Sequence, residues 1–178
     1  MTENMTKEST CKAISIVSGK GGSGKTMIAA TMASILDSLG YRVLLIDADY
    51  GTAGLTYYMG LNTVANISVG LTNLSSIKVV TEKDVEKYSQ FMNGFNQSKF
   101  IGVGDHKRYL KASNPLGLDI LMENLIKSAR STYDFVLIDL NDLICFEDIL
   151  KKPFPSFFES IYLSLKFLIS NSIISPNF

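Results

Sequence analysis

The sequence carries no excess charge of either sign: 17 Lys and Arg balance 17 Asp and Glu in 178 residues. A broad nucleic-acid-binding surface needs a strong positive field, so that balance argues against one. Cysteine is scarce as well. Cys11 and Cys145 lie far apart and form no CxxC or Cys/His cluster, which excludes a disulfide framework or a zinc-finger pattern and fits a reducing compartment. Long apolar runs are missing too. No uncharged stretch reaches the ~18 residues of a spanning helix, because Glu159 and Lys166 interrupt the candidate near the C-terminus. The N-terminal residues carry acids and hydroxyls where a signal peptide needs a basic start and an apolar run, so a cytoplasmic protein is expected. What is present is apolar: 46% of residues are hydrophobic and 19% charged, far from a disordered composition. A single domain of this size buries roughly 70% of the surface its unfolded chain exposes and needs neither disulfides nor structural metal.

Strand and helix patterns alternate along the chain. After a polar tail over residues 1–11, residues 12–17 form a short β-branched run that leads into a glycine cluster. Ile28, Met32, Ile35, Leu36 and Leu39 then fall at helical spacing and predict one apolar stripe, with Gly40 as the left-handed residue closing the helix. The continuous apolar run 43–46 predicts a strand buried on both faces and ending at Asp47. Thr81 and Asp84 form a capping-box pattern, from which Val85, Tyr88, Phe91, Met92 and Phe95 continue a helical stripe. A short strand is expected over 99–103. Asn114 and Pro115 open a further helix carrying Leu118, Leu121, Met122, Leu125, Ile126 and Ala129, and residues 133–140 form the clearest late strand. Strands alternating with helices imply βαβ units, hence an α/β fold with a mostly parallel sheet covered on both faces.

The chemistry is concentrated in one loop. Gly19, Lys20, Gly21, Gly22, Ser23, Gly24, Lys25 and Thr26 fit G-x-x-x-x-G-K-[ST] between a predicted strand and a predicted helix, the context in which that motif cradles phosphates. Glycines let successive backbone N–H groups turn toward an anion, and the helix that follows, through Met27, adds the positive end of its dipole. Lys25 supplies a point charge for β and γ phosphates, and the Thr26 hydroxyl suits a place in a Mg²⁺ shell.

The second lysine, Lys20, makes the loop resemble the deviant Walker A motif of the MinD/ParA family of P-loop ATPases. The run 43–49, with the Tyr50-Gly51-Thr52-Ala53-Gly54-Leu55 and Met59-Gly60 that follow, resembles that family's switch I region, and 133–139 resembles its Walker B strand. The resemblance covers residues 12 to about 140. It implies a P-loop NTPase fold, here incomplete at its C-terminal end, with an ATPase domain over 12–150 and an atypical apolar tail over 151–178. It also implies that the chain binds Mg-ATP, dimerises on it and hydrolyses it slowly as a positioning or partitioning switch with a partner protein. By position, Lys20 would reach across a homodimer to the partner's phosphates and Asp49 would orient the attacking water. Asp47 would act near the magnesium, through water, and Asp139 would hold the metal's second shell.

The chain departs from the family pattern after Asp139, where Leu140-Asn141-Asp142-Leu143-Ile144 contains no glycine. This supports a second reading, a hydrolysis-deficient fragment or interaction protein with a relic P-loop. In the tail, Ser156 and Glu159 resemble a capping box ahead of Phe157, Phe158, Ile161, Leu165, Leu168 and Ile169 on one helical face, while residues 160–167 also fall where a further strand would follow. Lys166 is the lone basic residue of that helical pattern, so core packing or an exposed apolar end is preferred over a membrane surface. His106, Lys107, Arg108 and Lys111 read as a solvated loop rather than a nucleic-acid contact.

Overall fold

The computed structural model describes residues 11–17, 22–61, 69–105 and 117–140, the side chains of 117–119 excepted. Strand β1 (Lys12–Ile16) leads to helix α1 (Lys25–Ser38), and strand β2 (Val43–Ala48) to the short helices α2 (Gly54–Tyr58) and α3 (Leu71–Leu74). Helix α4 (Glu82–Tyr88), strands β3 (Gln90–Phe91) and β4 (Lys99–Ile101), helix α5 (Gly117–Ala129) and strand β5 (Phe135–Leu140) follow. The sheet order is β1-β5-β2-β4-β3, with β3 antiparallel and the other strands parallel.

Alternation along the central strands builds two cores, because successive side chains point to opposite faces. Leu44, Ile46, Val136 and Ile138 meet Leu71 and Leu74 of α3, Val85 of α4, and Leu121, Met122, Leu125, Ile126 and Ala129 of α5 on one face. On the other, Val43, Leu45, Leu137 and Phe100 meet Ala29, Ala30 and Ala33 of α1 and Leu55 of α2. All of β2 is buried, as expected for a central strand of a doubly covered sheet.

Helix α1 ends as its sequence predicts. Gly40 is left-handed at φ 86°, and the N–H groups of Gly40 and Tyr41 donate to the carbonyls of Asp37 and Leu36 in a Schellman arrangement. Its buried face overlaps the predicted one only in Met32 and Leu36, which pack partly buried against the core. Ile28, Ile35 and Leu39 are 49%, 54% and 68% exposed, while Ala29, Ala30, Ala33 and Asp37 are buried. The Asp37 carboxylate sets this rotation by accepting hydrogen bonds from the N–H groups of Asn96, Gln97 and Ser98 and from the Ser98 hydroxyl. The small side chains of Ala29, Ala30 and Ala33 at the centre of that face let the helix lie close to Leu45 and Leu137.

The Thr81/Asp84 capping box forms: the Thr81 N–H donates to Asp84 at 2.9 Å, and the Asp84 N–H to the Thr81 hydroxyl at 3.4 Å. The helix then stops at Tyr88, short of the predicted stripe, because Gln90 and Phe91 pair with Phe100 and Lys99 across a turn in which Gly94 is left-handed at φ 81°. Phe91 is therefore exposed, and Met92 enters the α1 core instead of the α4 core. The predicted strands over 12–17, 99–103 and 133–140 are each present with shorter bounds. Asn114, Pro115, the basic cluster at 106–111, Cys145 and both readings of the tail lie outside the described residues. Among the described residues no helix is long and apolar enough to cross a membrane.

Candidate functional site

The site lies at the carboxyl ends of the parallel strands, where an open α/β sheet leaves a crevice. Gly22 and Gly24 adopt left-handed φ values of 74° and 85°, which an L side chain would strain. Gly24 caps α1, and the Ile28 N–H bonds its carbonyl at 2.9 Å. The first-turn N–H groups of any helix lack intrahelical acceptors, and no acidic side chain occupies the first turn of α1. Gly19, Lys20 and Gly21 lie outside the described residues. Met27 is 58% exposed.

The Thr26 hydroxyl donates to Asp139 Oδ2 at 2.8 Å, tying the start of α1 to β5. Asp139 pairs in register with Ile16 on one side and Asp47 on the other. Both aspartates are buried, and both fall at the parity of Leu45 and Leu137, on the α1 side of the sheet. Asp47 accepts from the Thr56 N–H at 2.8 Å, the Thr56 hydroxyl at 2.7 Å and the Asp49 N–H at 3.1 Å. Burial, together with the neighbouring Asp139 charge, pushes its carboxyl up to about 6 against the pull of those hydrogen bonds. Two buried carboxylates side by side are an arrangement that a cation relieves, and carboxylate and hydroxyl oxygens are the hard donors that suit Mg²⁺. Thr26, Asp47 and Asp139 thus fit such an ion.

Asp49, the residue expected to orient the attacking water, is engaged locally. Its Oδ1 accepts from the Gly51 and Thr52 N–H groups, and its Oδ2 from the Thr52 hydroxyl, so the carboxylate is engaged with the turn that follows β2. That turn ends in Ala53, a non-glycine residue held left-handed at φ 51° as the cap of α2. Gly54 then brings α2 beside the loop helix: a Cβ there would stand 3.5 Å from the Thr26 hydroxyl and 3.4 Å from that of Thr52. The structure therefore gathers Gly22, Gly24, Thr26, Asp47 and Asp139, with Asp49 at the margin. Thr52 stands in the sequence only as one letter of the run resembling switch I, and Thr56, between the two parts of that pattern, is not picked out at all, since a lone hydroxyl has no periodicity to betray it.

The family described as the CobQ/CobB/MinD/ParA nucleotide binding domain matches residues 14–176. A candidate septum site-determining protein MinD of Oltmannsiellopsis viridis is 31% identical over 137 residues, covering 74% of this chain and 39% of that protein. The flagellum site-determining protein YlxH of Helicobacter pylori is 27% identical over 186 residues, covering 93% of this chain and 59% of that protein. Among solved structures, the MinC:MinD cell division protein complex of Aquifex aeolicus aligns with a TM-score of 0.55 and 26% identity, over 72% of this chain and 47% of that one. The chain thus spans less than two thirds of the length of these relatives.

Proposed function

Because the chain belongs to the CobQ/CobB/MinD/ParA nucleotide-binding family, we propose that it binds Mg-ATP on the loop at 19–27 and works as a MinD/ParA-like ATPase switch. In this reading it dimerises on ATP, hydrolyses it slowly and recruits a partner protein in a positioning or partitioning process. The observation that carries the reading is the Thr26–Asp139 hydrogen bond at 2.8 Å, which sets a glycine-capped helix start against an in-register pair of buried carboxylates. Bound magnesium supplies positive charge beside the phosphates, held by Thr26 and, through its shell, by Asp47 and Asp139. Lys25 adds charge to the β and γ phosphates from its own chain, and Lys20 from the partner. Asp49 orients the attacking water once its carboxylate exchanges the Thr52 hydroxyl for that water.

Equilibrium titration with a fluorescent ATP analogue in the presence of Mg²⁺ tests the reading. The wild-type chain binds, and Lys25→Ala binds at least about tenfold more weakly, the loss of roughly one charge-assisted contact. No binding by wild type at millimolar nucleotide overturns the proposal. The glycine-free run at 140–144 favours one rival, a hydrolysis-deficient fragment or interaction protein with a relic P-loop that shows no turnover. Phosphate release that disappears in Asp49→Ala removes that rival, whereas binding with no Asp49-dependent release selects it.

A further inference from the structure

Asp47 carries more structural information than its place beside Asp139. An ionised carboxylate offers about four acceptor positions, two on each oxygen. Thr56 fills both on Oδ2, with its N–H at 2.8 Å and its hydroxyl at 2.7 Å, and the Asp49 N–H fills one on Oδ1 at 3.1 Å. One position on Oδ1 remains. Thr56 is itself held from behind. A Cβ on Gly102, the residue after β4, would lie 3.2 Å from the Thr56 hydroxyl and 3.5 Å from its methyl carbon, so the threonine stands against bare backbone. That backbone has no freedom to retreat. The Gly102 carbonyl accepts from the Leu71 N–H at 2.9 Å, and a Cβ on Gly70 would come within 2.4 Å of the same oxygen. The stack Gly70, Gly102, Thr56, Asp47 thus runs from the start of α3 past the carboxyl end of β4 to the carboxylate, with glycine wherever a side chain would break it.

We infer that Thr56 is a positioning residue for the magnesium site: it consumes Oδ2 and turns the carboxylate so that Asp47 meets the metal's shell through the single position left on Oδ1. Asp47 would then meet a bound magnesium through one hydrogen bond at Oδ1, as the family resemblance implies, and the new element is the part played by Thr56. The inference rests on the nucleotide-site reading above. It goes further in assigning the aim of Asp47 to a residue on a different element, α2, and the support of that residue to Gly102.

The test is equilibrium titration of the full 178-residue chain with a fluorescent ATP analogue, once in EDTA and once across a series of Mg²⁺ concentrations. Thr56→Val keeps the shape and removes the hydroxyl donor. It is expected to raise the Mg²⁺ concentration at half-enhancement about tenfold while leaving affinity in EDTA within about twofold. Thr56→Ser restores the donor and the wild-type midpoint. Gly102→Ala presses on the threonine without removing its hydroxyl and shifts the midpoint in the same direction, which carries the test if Thr56→Val does not fold. A wild-type Mg²⁺ midpoint in Thr56→Val overturns the inference, and so does an equal loss in EDTA and in Mg²⁺, the mark of a merely structural role. Wild-type protein that binds no nucleotide in either condition overturns the nucleotide-site reading and this inference together.

Discussion

A carboxylate in a protein interior is tolerated when donors surround it, and Asp37 has four, from Asn96, Gln97 and Ser98. Burial pushes this carboxyl up, yet the hydrogen bonds outweigh it and hold the group below its ordinary value. The sign of the pH dependence follows. A group with a depressed folded pKa contributes stability that is complete above its unfolded value, about 3.9, and is lost as pH falls through the folded one. Asp37→Asn retains the shape but points an amide at N–H donors. It should cost about 2 kcal/mol at pH 7, the order of one or two hydrogen bonds to a charged group. Urea melts of wild type and variant at several pH values check this: the gap should be constant from pH 7 to about 5 and narrow below about pH 4. A gap that persists unchanged at pH 3 would mean that the ionised carboxylate is not what the loop at 96–98 requires.

At the scale of elements, the same contact explains why the face of α1 was not legible in the sequence. Ile28, Ile35 and Leu39 share their spacing with Met32 and Leu36, yet of that stripe Met32 and Leu36 alone pack against the core, beside alanines at 29, 30 and 33 that give a weak hydrophobic signal. Periodicity reports which residues share a face; Asp37 and close helix-to-sheet approach decide which face turns inward. Substitutions separate the two possibilities. Ala33→Leu forces extra methylenes against Leu45 and Leu137 and should cost about 1–3 kcal/mol, while Ile35→Ser on the exposed side should stay within about 0.5 kcal/mol. Thermal melts that rank the two in the opposite order would refute the observed rotation. Elsewhere the pattern sufficed: α5 buries Leu121, Met122, Leu125, Ile126 and Ala129 as their spacing predicts, and β2 and β5 were legible as apolar runs ending in aspartate. The end of α4 was not, because Phe91, Met92 and Phe95 keep helical spacing across a turn that Gly94 makes. At the site, the glycine loop, Asp47 and Asp139 were readable from motif order. Thr56 was not, since its role comes from the fold bringing α2 against β2.

At the scale of the whole molecule, the balanced charge that first argued against a nucleic-acid surface bears on self-association. Two copies of a chain with no formal net charge meet without long-range repulsion, so their association is governed by short-range contacts at the site. If Lys20 reaches the partner's phosphates, those contacts exist only when nucleotide is bound, and dimerisation becomes a readout of the site's occupancy. The two lysines of the loop then separate in their effects. Lys25→Ala loses nucleotide and with it the dimer, whereas Lys20→Ala keeps nucleotide binding within a few-fold and remains monomeric. Sedimentation velocity without nucleotide and at millimolar Mg-ATP checks both variants against wild type. If that attraction is close-range at a dimer seam, raising salt from about 50 to 300 mM should shift the wild-type midpoint by less than about threefold. A wild-type chain that stays monomeric at millimolar Mg-ATP while still binding nucleotide would retain the nucleotide site and discard the switch.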